Sequence, residues 1–198
     1  MKISQEILNL VPSGNFIVGY AGSLGFVNCI DEIMDAAIIL KNSPVSFLFL
    51  GDGPLRDKFK ARSIESGLSN VHFFDPVPKY QVPKFLQKCD LLVNPWKANL
   101  EVYKYGVSPN KWVDYMMSAK PILVPFDGYP SVISDADCGK FIDPQNPKLL
   151  ADEILAFSTM DKKILNQMGE NGRKYLFAHL SFDVLAKKYL SIIDGLPV

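Results

Sequence analysis

Short uninterrupted apolar runs alternate along this chain with longer stretches in which apolar residues return every three or four positions. The run over 16–21 ends in Gly22-Ser23-Leu24-Gly25, and Ile30, Ile33, Met34, Ala37 and Ile38 then recur at helical spacing. That order predicts a strand, a tight glycine turn and a helix. Residues 45–50 repeat the theme, closing in Gly51-Asp52-Gly53-Pro54 before a polar helix over 55–66. A third strand over 71–74 precedes Pro76-Val77-Pro78 and a helix near 82–87. Residues 91–93 form a fourth strand, a long loop leads to a helix opening at Ser108, and 121–124 form a fifth strand. A short sixth strand over 139–142 stands ahead of helices over 147–157, 162–176 and 182–193.

Strands that are apolar throughout and alternate with helices imply a parallel sheet covered on both faces. Right-handed crossovers then give an α/β fold of Rossmann-like, doubly wound type with about six strands. Residues 1–15 read as a linker or N-terminal extension and 16–198 as one domain, with the Pro125–Pro130 stretch a loop inside it. Ligands of this architecture bind outside the carboxyl ends of the strands, where the strand order reverses. The loops that matter are therefore 22–28, 51–54, 75–79 and 95–110.

The last of these loops carries the most chemistry. Ser108 reads as an N-cap, with Pro109 at the first helical position, where its missing N–H costs nothing. The free amides and positive dipole end of that helix suit an anion, most often a phosphate, and Lys111 adds a full charge. Asp114 lies four residues after Asn110, on the same face, where a carboxylate suits neighbouring sugar hydroxyls. Phosphate at the cap and a diol one turn in describe a bound nucleotide sugar. The competing reading is a ligand-free Ser-Pro helix start with a solvated Lys111.

Composition narrows the classes. The chain has 198 residues, 48% apolar and 21% charged, which is a soluble globular composition with enough length for a core. Lys plus Arg and Asp plus Glu both number 21, so no overall basic field recruits nucleic acid. Cys29, Cys89 and Cys138 have no C-x-x-C spacing and read as reduced, buried thiols, with neither zinc nor disulfides favoured. The first twelve residues contain no long apolar run and are not expected to form a signal peptide or a membrane span.

Smaller signals add little alone. Gly22-x-x-Gly25 is a fragment of a dinucleotide fingerprint, lacking its third glycine and a ribose-binding acid after strand two. Asp52 is as suited to capping the helix that follows as to binding. His72 and His179 read as core or surface residues. Trp96, Tyr103 and Tyr105 lie in the long loop and could wall a pocket. Paired catalytic carboxylates, a nucleophile elbow, a P-loop and a metal cluster are not legible.

Several strings in order resemble one family. Leu50-Gly51-Asp52-Gly53-Pro54, Cys89-Asp90-Leu91-Leu92-Val93-Asn94-Pro95 and Trp112-Val113-Asp114-Tyr115-Met116-Met117-Ser118-Ala119-Lys120-Pro121 are similar to the G-x-G-P, A-D-x-x-v-x-P and L-x-E-A-M-A-x-G-x-P segments of group 1 glycosyltransferases. Cys138-Gly139-Lys140-Phe141-Ile142-Asp143-Pro144 and Ser181-Phe182 resemble the two strings that follow. The resemblance is to the C-terminal, nucleotide-sugar-binding domain of these retaining enzymes, one half of a GT-B fold. Tyr105 to Met117 further resembles the Y-G-x-S-P-N-K-l-f-D-Y-M string of a WbuB-like branch that builds bacterial surface polysaccharides and N-acetyl-L-fucosamine linkages.

The resemblance carries residue roles. Asp114 takes the position of the second glutamate of the E-x7-E motif, which holds the nucleotide ribose, and the first, which contacts the donor sugar, falls on Gly106. That contact must come from Tyr105, Ser108 or backbone amides. The Arg and Lys of the first loop, which pair with the diphosphate, fall on Ser23 and Asn28. Lys111, Gly25 and the helix amides are left as substitutes, Val77 to Lys79 match the loop lining the nucleobase, and Gly22 and Asn110 are further candidates for nucleotide-sugar contact.

The implied function is transfer of a sugar from a nucleotide diphosphate sugar, UDP-linked in the nearest branch, to a polysaccharide or glycolipid acceptor. Lys111 stabilises the departing diphosphate, and no metal or other cofactor is required. The acceptor site belongs to a missing N-terminal domain, in the same chain or a separate subunit. The isolated chain is therefore expected to be inactive, and cytoplasmic, with peripheral membrane association through the missing half. A GT-B nucleotide-sugar epimerase is the rival, although the acids and histidine it needs are not found.

Overall fold

The computed structural model describes residues 13–97, 107, 109–127 and 132–195. Six strands, β1 (Phe16–Ala21), β2 (Val45–Leu50), β3 (Val71–Phe74), β4 (Leu91–Val93), β5 (Ile122–Pro125) and β6 (Gly139–Ile142), form one sheet in the order β3-β2-β1-β4-β5-β6. Every pairing is parallel. The doubly wound arrangement expected from the apolar runs is thus present, and the order reverses between β1 and β4. Ala21 lies opposite Leu50, and Leu50 opposite Phe74, so the first three strands end level.

The alternation of side chains along a strand divides the core into two layers. Tyr20, Phe47, Phe49, Leu91, Val93 and Leu123 point to one face, packed by α1 (Ile30–Ile39), α2 (Arg56–Glu65) and α6 (Pro147–Thr159). Ala21, Leu48, Leu50, Leu92, Ile122 and Val124 point to the other, covered by α3 (Val82–Leu86), α4 (Asn110–Met117) and the short α5 (Val132–Asp135). Helices α7 (Lys162–Tyr175) and α8 (Phe182–Asp194) complete the chain. Trp112 is buried edge-to-face on Phe141, with ring centroids 6.1 Å apart.

Several helix ends shift by one or two residues from the sequence reading, and three boundaries differ in kind. Helix α4 begins at Asn110; Pro109 is extended (φ −74°, ψ 134°) and takes the N-cap position itself, its carbonyl accepting from Trp112 N at 3.0 Å. A proline φ fits either side of a helix start, so the local sequence does not choose between them. Ser108, expected at the cap, lies outside the described residues. Strand β5 extends to Pro125, whose carbonyl accepts from Trp96 N. The helix α7 stops at Tyr175 and widens into a π-turn over Leu176–Leu180.

The loops after β1 and β2 touch through their backbones. Gly51 has φ +144°, and a Cβ there would lie 2.0 Å from the Gly22 carbonyl oxygen; one on Gly53 would lie 2.6 Å from that of Leu24. Leu24 N donates to Asp52 O at 2.8 Å and Gly22 N to Leu50 O at 2.9 Å, closing the two loops on each other. Gly51→Ala is expected to lower stability by about 3 kcal/mol in urea denaturation, through strain and steric displacement together. Gly67→Ala, at φ +62° with open space around it, should cost about 1 kcal/mol.

Candidate functional site

A cavity of 670 Å³ opens at the carboxyl ends of the central strands, at the reversal of strand order. It is within the range of small-molecule sites, roughly 300–1,000 Å³. All four loops singled out by topology reach it: Gly22 and Ser23 after β1, Gly51 and Asp52 after β2, Pro76, Val77 and Lys79 after β3, and Trp96 after β4. Pro109, Asn110, Lys111 and Asp114 bring the first turn of α4 to the same space. The walls are mainly apolar, from Ala21, Leu50, Pro76, Val77, Val82 and Trp96, with polar side chains from α4 (Asn110, Lys111, Asp114) and from the strand-end loops (Ser23, Asp52, Lys79).

Lys111 is the charged centre of the α4 end. Its Nζ donates to Tyr20 Oη and to Asn28 Oδ1, both at 2.8 Å, and sits 4.5 Å from the centre of the Tyr20 ring. Tyr20 Oη in turn donates to Ser23 O at 2.8 Å. A Cβ on Gly22 would come within 3.0 Å of Lys111 Cε, so the glycine leaves room for the stem. No carboxylate pairs with Lys111 among the described residues. Burial without a counter-charge lowers its pKa from the ordinary 10.5 to about 8.

Asp114, one turn along α4, is ion-paired with the exposed ammonium of Lys79. Asp52 does not cap the helix after it; its Oδ1 accepts from Gly53 N at 2.8 Å, and α2 starts without a side-chain cap. Tyr115, buried beneath Lys111, accepts the Ala21 N–H on its hydroxyl at 3.0 Å and so ties α4 to the end of β1. Asn94, following β4, is fully buried with neither amide atom hydrogen-bonded, an arrangement that costs about 1–3 kcal/mol.

Of the residues singled out from sequence, Gly22, Ser23, Val77, Asn110, Lys111 and Asp114 line the cavity. Asn28 does not line it but holds Lys111, and Gly25 lies behind it, its carbonyl accepting from Asn28 N at 3.2 Å. Tyr105, Gly106 and Ser108 fall outside the described residues, as does Tyr103. Tyr20, which the sequence did not single out, holds Lys111, and Lys79, read from sequence only as part of the nucleobase loop, pairs with Asp114. Both contacts join residues distant in the chain, and no local pattern marks them.

The remaining candidates behave as background. Cys89 and Cys138 are buried and Cys29 is half-buried, all three free, so Cys29 is less enclosed than its apolar neighbours suggested. Burial lowers the pKa of His72, and the His179 ring lies tilted at 42° against Tyr175, with centroids 4.4 Å apart. Among the described residues no group of three or more His, Cys, Asp and Glu side chains could hold a metal ion, and no helix is long and apolar enough to cross a membrane.

A strand order of 3-2-1-4-5-6 with a cavity at its reversal defines a Rossmann-like ligand-binding domain. The profile of the family described as Glycosyl transferases group 1 matches residues 5–175, and the chain belongs to that family. It is 25% identical over 187 residues to the probable glycosyltransferase WbjE of Pseudomonas aeruginosa, covering 92% of this chain and 45% of that protein. The chain thus spans about half the length of the curated relatives it matches. Among solved structures, Anabaena Alr3699/HepE in complex with UDP superposes with a TM-score of 0.78 at 18% identity, over 98% of this chain and 52% of that one. The C-terminal domain of the group 1 glycosyltransferase LpcC from Francisella tularensis superposes with a TM-score of 0.69 at 17% identity, over 90% and 92%. These likenesses establish the fold as that of one GT-B half.

The lowered pKa of Lys111 has a measurable sign. The folded state holds this proton less tightly than the unfolded chain, so Lys111 opposes folding fully below about pH 8 and no longer above about pH 10.5. Comparing urea denaturation of the protein and its Lys111→Met variant at pH 7 and pH 10, the difference should move in favour of the unsubstituted protein at the higher pH. An unchanged difference would mean a solvated ammonium.

Proposed function

We propose that this chain is the donor-binding half of a retaining glycosyltransferase that takes a nucleotide diphosphate sugar, with UDP as the preferred nucleotide. The observation that carries the reading is the meeting of Lys111, the first turn of α4 and Asp114 in one cavity at the sheet's reversal point. UDP in the HepE complex supports the choice of nucleotide.

In this reading the uracil lies along the apolar wall at Val77, with Trp96 across the cavity. The ribose hydroxyls bind the Asp114 carboxylate, exchanging its contact with Lys79 for neutral donors. The diphosphate binds at the start of α4, where main-chain N–H groups, the helix dipole and the Lys111 ammonium meet its charge. As the glycosidic bond breaks, negative charge grows on the β-phosphate oxygen, and the same groups stabilise it more strongly in the transition state than in the ground state. Lys111 is the group proposed to act there. Attack and departure on one face of the sugar give retention, with no metal assigned.

The acceptor site belongs to the half of the relatives' length that this chain does not span. Helix α8 supports that division, because it buries none of its residues and exposes Leu185, Tyr189, Leu190 and Ile192. We assign that face to the other half, in the same polypeptide or a separate subunit. Peripheral membrane association, if present in the whole protein, is assigned to that half too, and the acceptor to the polysaccharide or glycolipid class.

Calorimetric titration with UDP, GDP and ADP tests the site. UDP should bind, and Asp114→Ala and Lys111→Ala should each weaken it about tenfold, roughly 1.4 kcal/mol. A folded protein that binds none of the three would remove the reading, and unchanged UDP affinity in Asp114→Ala would remove Asp114 from it. A radiolabelled UDP-sugar assay of the isolated chain should detect no transfer until the other half is added.

A further inference from the structure

Resting on the donor-site reading above, we propose that Tyr20 and Asn28 are positioning residues that hold the Lys111 ammonium, without a carboxylate, as the diphosphate-binding charge of this site. An ammonium has three N–H donors. Two are taken, by Tyr20 Oη and Asn28 Oδ1, each at 2.8 Å. The third remains for an anion in the cavity that Lys111 lines.

Both partners are neutral, and the choice of neutral partners is what gives the arrangement its use. A carboxylate at either place would neutralise the ammonium and repel a diphosphate. An amide oxygen and a phenol orient the group while leaving its charge uncompensated. Tyr20 is well fitted to this: its ring lies under the ammonium, its hydroxyl is anchored on Ser23 O, and burial pushes its own ionisation upward, so it stays neutral. Asn28 reaches Lys111 from the one-turn helix Phe26–Asn28, and Cys29 after it has φ 44°, a left-handed turn that separates Asn28 from α1. The ionisable groups of the surrounding elements are the buried Tyr115 hydroxyl, whose pKa burial raises, the Cys29 thiol next to Asn28, pushed up to about 11, and, on the cavity lining, Asp52 and the Lys79–Asp114 pair. Asp114 is engaged by Lys79, and among the described residues Lys111 has no carboxylate against it.

The consequence is a coupling between proton and anion. A diphosphate binds the protonated form, so affinity should be highest below about pH 8 and fall about tenfold per unit above it, until the bound-state pKa is passed.

The test uses isothermal titration of the chain with UDP and with inorganic pyrophosphate, and NMR titration with uridine, from pH 6.5 to 9.5. The half-exposed Asn28→Asp should lose tenfold or more in affinity for UDP and for pyrophosphate at pH 7.5, keep its uridine affinity, and shift the fall in affinity to higher pH, since a carboxylate holds the Lys111 proton. Tyr20→Phe keeps the ring and its packing and should lose several-fold for both anions with uridine unchanged. Anion affinities and pH profiles equal to those of the unsubstituted protein in both variants would overturn the proposal, as would absence of pyrophosphate binding by the unsubstituted protein. Pyrophosphate binding that depends on Asn28 and Tyr20, with no nucleoside diphosphate bound, would support the positioning role and remove the donor-nucleotide reading instead.

Discussion

The reversal of strand order between β1 and β4 is the constraint on which the rest depends. Crossovers from β1 run to one face of the sheet and those from β4 to the other, so the loops above these neighbouring strands diverge and leave a crevice. Helix α4 is held over that crevice by two side chains one turn apart. Tyr115 accepts the Ala21 N–H from below, and Lys111 reaches Tyr20 from above. Both contacts end on the last two residues of β1, so the strand ties down the start of the helix.

Electrostatics then divides the cavity into two kinds of charge. Asp114 has a counter-ion in Lys79, while the partners of Lys111 among the described residues, Tyr20 and Asn28, are neutral, and burial holds it below its ordinary pKa. A desolvated cation without a counter-charge opposes folding, and under the proposed function an anion bound there would offset that cost, returning it as binding free energy. The fully buried, unpaired amide of Asn94 is a second local cost beside the same strand end.

Helix α8 differs from the other long helices in its exposure. Helix α8 has apolar residues at helical spacing yet buries none of them, in contrast to α6, whose Leu150, Ala151, Ile154 and Phe157 are all in the core. An apolar stripe left in water is unfavourable in an isolated domain, and the chain spans only about half of its relatives' length. The face and the missing length are consistent with each other.

Much of the fold was legible in the sequence, because an apolar run of four to six residues closed by glycine or proline is a local pattern and a buried parallel strand is its direct outcome. β1, β2, β3, β4 and β6 have the bounds the runs predict, and the four loops that topology marks do converge. Six of the residues picked as ligand contacts line the cavity, since they follow from strand ends and a helix start. Pro109 rather than Ser108 at the described cap position was not legible, because proline's φ suits both sides of the boundary. Nor were the partners of the charged groups: Tyr20 stands 91 residues from Lys111, and Lys79 stands 35 from Asp114. The sequence by itself determined which elements form and which strand ends open on the cavity, through short-range periodicity and turn chemistry. Only the tertiary structure decided which cation would be left unpaired, because that depends on distances between residues that meet solely when the sheet is assembled.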